Sequence, residues 1–263
     1  MKKFIALFLF LCTTIGYAQG ESFHRDANTI QVSASGENLQ IEFCSPDMFR
    51  IRRSPNNVYA ENEQWMIRKY DFSPVDLKTE TQTDAYSIAT ADLKIRIAKH
   101  NLLIEVQDKT GKTLYSEQAN PHFYPDSVSN QVTLGADEHF FGFGERMDFL
   151  DQRGKQVYLN VELGRGTKPA VGGKDILRAN YCPVPLMIST RGYGVFFHTA
   201  FPTRWDMGWS SKDNYTFGAN GGELDYYFIY GPDMYAIVDN YTQLTGKSPM
   251  LPRYAMGLHV GTY

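Results

Sequence analysis

Cysteine is scarce in this chain: 3 in 263 residues, with no Cys-x-x-Cys pair. A disulfide-stapled mini-domain and the common zinc ribbons are excluded. Histidine is nearly as sparse, and the six (His24, His100, His122, His139, His198, His259) show no metal-ligand spacing. No metal site is expected. Runs of one charge sign and low-complexity segments are also missing, which argues against a nucleic-acid-binding tail. The apolar stretch 4–11 is too short to anchor stably in a bilayer.

That stretch reads instead as the core of a secretion signal over residues 1–18. Lys2-Lys3 form the basic start, and Gly16-Tyr17-Ala18 is a small-x-small cleavage site. Leu11 before Cys12 is too bulky for a lipid-attachment signal, so soluble export to the periplasm or outside the cell is the expectation. Without Lys2 and Lys3, 24 basic residues face 29 acidic ones, a net charge of −5. Polyanionic partners are disfavoured; a neutral ligand such as a sugar is suited. Cys44 and Cys182 remain, and separately buried thiols are favoured over a bridge.

What the chain does have is aromatic and alternating. It carries 17 Tyr and 17 Phe and is 43% hydrophobic, enough for a sizeable core. Period-two alternation marks strands at 39–43, 93–97 and 104–107, with turns at His100-Asn101 and 108–111. Further strands are predicted at 49–53, 86–90, 113–115, 132–134, 139–143, 157–161, 184–189, 193–198, 215–217 and 224–230. A dozen strands with no interleaved helices predict an all-β, antiparallel two-sheet sandwich up to about Gly231. The doublets Phe196-Phe197 and Tyr226-Tyr227 send one ring to each face, so both faces are expected to be covered.

The period then changes to 3.6. Pro232 suits a first helical turn, Ile237, Val238, Tyr241 and Leu244 line one stripe, and Gly246 fits just past the end. Residues 232–250 are therefore a helix and linker. Residues 253–263 read as one new buried strand. The glycine-rich stretch 164–174 reads as a long loop of the kind that serves binding.

Several apparent motifs fail. Gly246-Lys247-Ser248 mimics the end of a phosphate loop, but Tyr241 stands where its first Gly belongs. Gly142-Phe-Gly144 starts like a dinucleotide fingerprint, but Met147 replaces the third Gly. Glu145, Asp148 and Asp151 form an acidic group; paired carboxylates serve glycoside chemistry, yet carboxylates in β turns more often bond backbone.

Four segments, in order, resemble the N-terminal part of glycoside hydrolase family 31, mostly retaining α-glycosidases. They are Phe140-Phe-Gly-Phe-Gly-Glu145, the stretch 181–196, Leu224-Asp-Tyr-Tyr-Phe-Ile-Tyr-Gly-Pro232, and Tyr241-Thr-Gln-Leu-Thr-Gly-Lys-Ser-Pro249 running into 251–258. The resemblance implies a mutarotase-like sandwich over 19–231, then a (β/α)₈ barrel of which 251–263 is the truncated start. It implies no metal or organic cofactor. Both catalytic Asp of the family lie on later barrel strands, so no catalytic residue is expected here. A barrel takes about 250 residues. Trp205-Asp206-Met207 matches the family's nucleophile motif only superficially.

Five residues are expected near substrate: Tyr263 and His259 on the first barrel strand, Asp206 from a sandwich loop, and Glu145 and Asp148 where the sandwich approaches the barrel. The expected partner is an α-linked oligosaccharide or glycoside, with the missing barrel packing on the sandwich. Two alternatives stand beside this reading. One is a free-standing carbohydrate-binding module. The other is a mutarotase-type epimerase, which needs a His acid and a Glu base converging in one sheet.

Overall fold

The computed structural model describes residues 21–54, 58–146, 148–160 and 180–259. The expected signal segment, the 164–174 loop and Tyr263 lie outside these residues.

Among the described residues, seventeen strands form two antiparallel sheets. The first has eight, in the order β1 (Ser22–Asp26), β2 (Thr29–Ala34), β3 (Glu37–Ser45), β4 (Met48–Arg53), β17 (Leu224–Tyr230), β14 (Tyr193–Phe197), β13 (Asn180–Ser189) and β11 (Phe140–Arg146). The second has nine. From one edge they run β12 (Gln156–Leu159), β15 (Thr203–Asp206), β16 (Asn214–Ala219), β10 (Ser127–Thr133), β9 (Thr113–Tyr124), β8 (Ile104–Asp108), β7 (Leu93–Ala98), β6 (Ala85–Ala89) and β5 (Lys78–Thr81). The predicted all-β sandwich is the observed one.

Alternation explains the layering. In β7, Leu93, Ile95 and Ile97 are buried while Lys94 is exposed, as a period of two dictates when one sheet face meets the core. The central filling is aromatic. Phe49 stacks on Phe228, and Phe228 on Tyr193, with ring centroids 5.1 and 5.5 Å apart. Tyrosine brings hydroxyls into this core, and those of Tyr115, Tyr193, Tyr215 and Tyr226 are hydrogen-bonded there. Tyr193 donates to Glu138 at 2.7 Å and Tyr226 to Glu117 at 2.9 Å, while Arg53 pairs with Glu117 at 2.6 Å.

The outer face of the first sheet is covered as well. A second apolar cluster gathers Met48, Leu186, Ile188, Phe196, Tyr227 and Ile229 under helix α1 (Met234–Thr245) and the segment around Ile67. The aromatic doublets split as expected: Phe197 and Tyr226 face the sandwich core, Phe196 and Tyr227 the outer cluster.

Three sequence expectations are corrected. Pro232 is not in the helix: Asp233 is the N-cap, accepting from the Ala236 N–H at 2.9 Å, because its carboxylate meets an otherwise orphaned donor. On the buried stripe, Val238 is exposed and Asn240 buried instead, held by Asp47 at 2.8 Å. Arg253–Met256 is a 3₁₀ turn, and residues 249–259 are exposed apart from half-buried Ala255. A strand needs a hydrogen-bonded neighbour, and neither sheet offers residues 251–259 one among the described residues.

Candidate functional site

The acidic group lies where the chain passes from one sheet to the other, between edge strands β11 and β12. Gly142 and Gly144 set the geometry there. Both have positive φ, +107° and +78°, and a Cβ on Gly144 would sit 2.1 Å from the Cys182 carbonyl oxygen. Only glycine permits this approach. The β11–β13 register shifts between these glycines, and Phe143 turns inward to meet the Trp205 ring at 5.2 Å, edge to face.

Past this bulge, Asp148 is clamped. It accepts from Lys155 Nζ at 2.8 Å, Arg146 Nη2 at 3.2 Å and the Phe149 N–H at 2.7 Å. Partial burial raises its pKa, but the hydrogen bonds from Lys155 and Phe149 and the charges of Lys155 and Arg146 outweigh that and hold it below the usual carboxylate value. Asp151 sits 2.6 Å from His139 Nδ1 and accepts the Arg153 N–H at 2.9 Å. Glu145, opposite Cys182 in the ladder, is exposed.

Asp206 ends β15. Its carboxylate accepts from the Trp209 N–H at 2.8 Å, the Ser210 N–H at 3.1 Å, the Ser210 hydroxyl at 2.6 Å and Gln156 Nε2 at 3.1 Å. Burial pushes the carboxyl up; these hydrogen bonds, led by Ser210, prevail and lower it. Asp206 and Asp148 thus approach the same edge, through the adjacent residues Gln156 and Lys155, but each serves its own turn. His259 is exposed and bonds Ala255 O at 2.8 Å within its own segment. No described hydrogen bond or ion pair links it to either carboxylate. Among the described residues, no three of His, Cys, Asp and Glu gather closely enough to hold a metal ion.

The densest charge cluster was not singled out by sequence. On the outer face of the first sheet, buried Arg50 pairs with buried Asp225, and Asp225 Oδ2 lies 2.9 Å from His198 Nδ1. His198 Nε2 faces Glu63 Oε1 at 2.9 Å, and Arg52 pairs with Glu223. The signal was period two: Arg50 and Arg52 in β4, and Glu223 and Asp225 where β17 begins. Here a histidine and a glutamate do converge on one sheet, as an epimerase requires. Glu63, however, also accepts the N–H groups of Trp65, Met66 and Ile67, and His198 is buried. Neither is free to meet a sugar.

Cys44 and Cys182 are both free, but only Cys44 is the buried thiol expected; Cys182 is exposed, which corrects that part of the expectation. Their strands β3 and β13 stand four places apart in the sheet, about 19 Å at the usual strand spacing, beyond disulfide reach.

The sequence model of the glycosyl hydrolase 31 N-terminal galactose mutarotase-like domain matches residues 38–206. The chain belongs to glycoside hydrolase family 31. Among its family 31 relatives, Alpha-glucosidase 2 of Bacillus thermoamyloliquefaciens is 26% identical over 245 residues, 92% of this chain but 29% of the relative. Alpha-xylosidase 1 of Arabidopsis thaliana is 33% identical over 216 residues, 80% of this chain and 20% of the relative. The family 31 dextranase of Flavobacterium johnsoniae, solved with isomaltotriose, superimposes with a TM-score of 0.81 at 27% identity, covering 90% of this chain and 29% of that one. The cycloalternan-forming enzyme of Listeria monocytogenes, solved with a pentasaccharide substrate, gives 0.73 at 26%, covering 89% and 23%. The chain spans less than a third of each of these proteins.

The family segments now have physical roles. The first is the bulged β11, the second β13 and β14, the third β17 with its buried Asp225, and the fourth the end of α1 and the 3₁₀ turn.

Proposed function

We propose that this chain is the N-terminal sandwich portion of an exported, retaining α-glycosidase, carrying a docking face and supporting loops while the reacting carboxylates lie on a barrel beyond it. The observation that carries this reading is the commitment of its carboxylates. Asp148, Asp151 and Asp206 are each engaged by two or more donors in holding a turn. Retaining glycoside hydrolysis needs one carboxylate free to attack the anomeric carbon and a second to protonate the leaving oxygen and then activate water. The names of the relatives support α-glucosides or α-xylosides as the substrate class, and solved relatives hold isomaltotriose and a pentasaccharide.

The barrel would cover the exposed apolar side chains of α1 and of the segment after it: Met234, Tyr235, Val238, Met250, Leu251 and Tyr254. A domain face of this composition is otherwise costly in water. Tyr263 and His259 would then reach the pocket from the segment that leads into the barrel, with Glu145 and Asp148 at the interface. Residues 1–18 would direct export.

Assaying the 263-residue chain on aryl α-glucosides and α-xylosides tests the reading. No turnover is expected. Turnover abolished by a single Asp substitution within this chain overturns it. A free-standing sugar-binding module is the second reading, favoured by the exposed Trp65 and Trp209. Oligosaccharide calorimetry together with light scattering separates the two: a monomer with measurable affinity supports the module.

A further inference from the structure

We propose that His198 is a pH-sensitive clasp: as an imidazolium bridging Asp225 and Glu63 it holds residues 60–67 against the first sheet, and loss of its proton lets that segment lift. The geometry requires the cation. Both ring nitrogens lie 2.9 Å from carboxylate oxygens. An ionised carboxylate only accepts, and neutral imidazole has a single N–H. Both contacts are hydrogen bonds only when both nitrogens are protonated.

The two sides of the clasp differ. Asp225 is fully buried and fixed by Arg50, Nε to Oδ1 at 2.8 Å and Nη2 to Oδ2 at 2.6 Å. Glu63 sits on an irregular segment, with a more exposed side chain. Neutral His198 would keep its proton on Nδ1 towards Asp225, turning the Nε2 lone pair on Glu63. Glu63 therefore yields first. It organises the segment: besides His198 it accepts from the N–H groups of Trp65, Met66 and Ile67. Trp65 is displayed outward by this turn, 79% exposed.

Other tethers bound the movement. On one side, Arg50 Nη1 donates to Asn62 at 2.8 Å, and Arg52 Nη2 to the Ala60 carbonyl at 2.7 Å. On the other, Ile67 is buried and the Arg68 N–H donates to Leu244 O at 2.8 Å. Release is confined between these anchors.

Every charged neighbour enters the balance. Burial and Arg50 oppose the imidazolium; Asp225 and Glu63 outweigh them and raise the His198 pKa. Arg52 lies 3.9 Å from Asp225 and is paired with Glu223; Glu42 lies 3.8 Å from Arg50. Tyr227 packs against His198 at 5.9 Å, its pKa pushed up by burial, and burial likewise pushes the Tyr70 hydroxyl up to about 12. Both stay neutral. A raised folded pKa means the clasp is fully engaged below the ordinary histidine value of about 6.5 and is lost as pH rises through the folded value.

The test is a pH titration of the full chain by NMR, reading the His198 ring nitrogens and the backbone amides of Trp65, Met66 and Ile67 between about pH 5 and 10. The expected result is a His198 midpoint above 6.5, with the three amide signals moving at the same midpoint. In Glu63→Gln the midpoint falls and the amides no longer follow His198. A His198 that is neutral at pH 5, or that titrates while the three amides stay still, overturns the proposal. The wild-type titration decides this even where the variant fails to fold.

Discussion

Arg50 and Asp225 join β4 to β17 diagonally, two residues off register, through two parallel hydrogen bonds of 2.8 and 2.6 Å, both side chains buried. Removing one partner leaves a buried charge without its two-bond counterion, and Glu42 at 3.8 Å from Arg50 is too distant to replace Asp225. Asp225→Ala should cost about 3–5 kcal/mol, read as a lower denaturant midpoint at unchanged slope. Exchanging both partners for apolar side chains of similar volume should recover most of that loss. A single variant as stable as wild type would show that water reaches the pair.

Gly144 and Gly111 both have positive φ, +78° and +86°, but their surroundings differ. A Cβ at Gly144 meets Cys182 O at 2.1 Å and Val184 N at 2.5 Å; at Gly111 it meets nothing within 4 Å. Gly111→Ala should cost only the local strain, on the order of 1 kcal/mol. Gly144→Ala adds a backbone clash and should cost several times more, with the β11–β13 amides losing hydrogen-exchange protection. Equal losses would mean the bulge is soft.

The contrast between these sites shows what sequence could and could not reveal. Alternation exposed β3, β7 and β8, because each has one face in the core and one in solvent. It missed β5, Lys-Thr-Glu-Thr, an edge strand exposed along its whole length, and β15, whose Trp205 is buried in only four residues. Arg50, Arg52 and Asp225 were illegible for a different reason. Charges on a strand normally mark a solvated face, and nothing local reveals that α1 and residues 60–72 cover it. The terminal strand was over-read: an apolar run resembles a buried strand whether or not a neighbour is present to pair with it. Asp148 and Asp206 were found as candidates, but their engagement by Lys155, Gln156 and Ser210 is tertiary.

Asp206 accepts four hydrogen bonds that close the turn after β15. Asp206→Ala should lower stability by about 2 kcal/mol, since hydrogen bonds to charged groups contribute about 1.5–3 kcal/mol. Asp206→Asn keeps one acceptor oxygen but turns an NH₂ group towards donors, so it should lie between the two. A denaturant series on the three proteins checks the ranking; an alanine variant as stable as wild type contradicts it.

The acid limb of the stability curve follows from the same carboxylates. Asp148, Asp151, Asp206 and Asp225 have folded pKa values below the ordinary one, their hydrogen bonds and ion pairs outweighing burial. A depressed folded pKa contributes stability that is present above the unfolded value, about 3.9, and is lost as pH falls through the folded value. Glu42 and Glu223 act oppositely, because burial raises them; protonation relieves their cost and softens the loss. The four aspartates should prevail, so unfolding free energy should fall below about pH 4. Asp225→Asn, though weaker overall, should show a shallower acid slope. A flat profile down to pH 2 would contradict this.

Tyr235 and Val238 lie three residues apart on α1, on the side facing away from buried Ile237 and Leu244. Residues three apart on a helix are neighbours, and with Met234 they make an apolar patch that the sandwich leaves uncovered. Replacing Tyr235 and Val238 with lysine removes no contact with the second apolar cluster, so stability should change by less than about 0.5 kcal/mol per site. Self-association should fall sharply, because the patch, not unfolding, drives the chain together. Light scattering over a concentration series checks this: wild type should show rising apparent mass, and the double variant should stay near 30.0 kDa. A wild-type chain that is monomeric throughout would mean the patch needs no cover, and would remove the physical reason for a barrel to dock there.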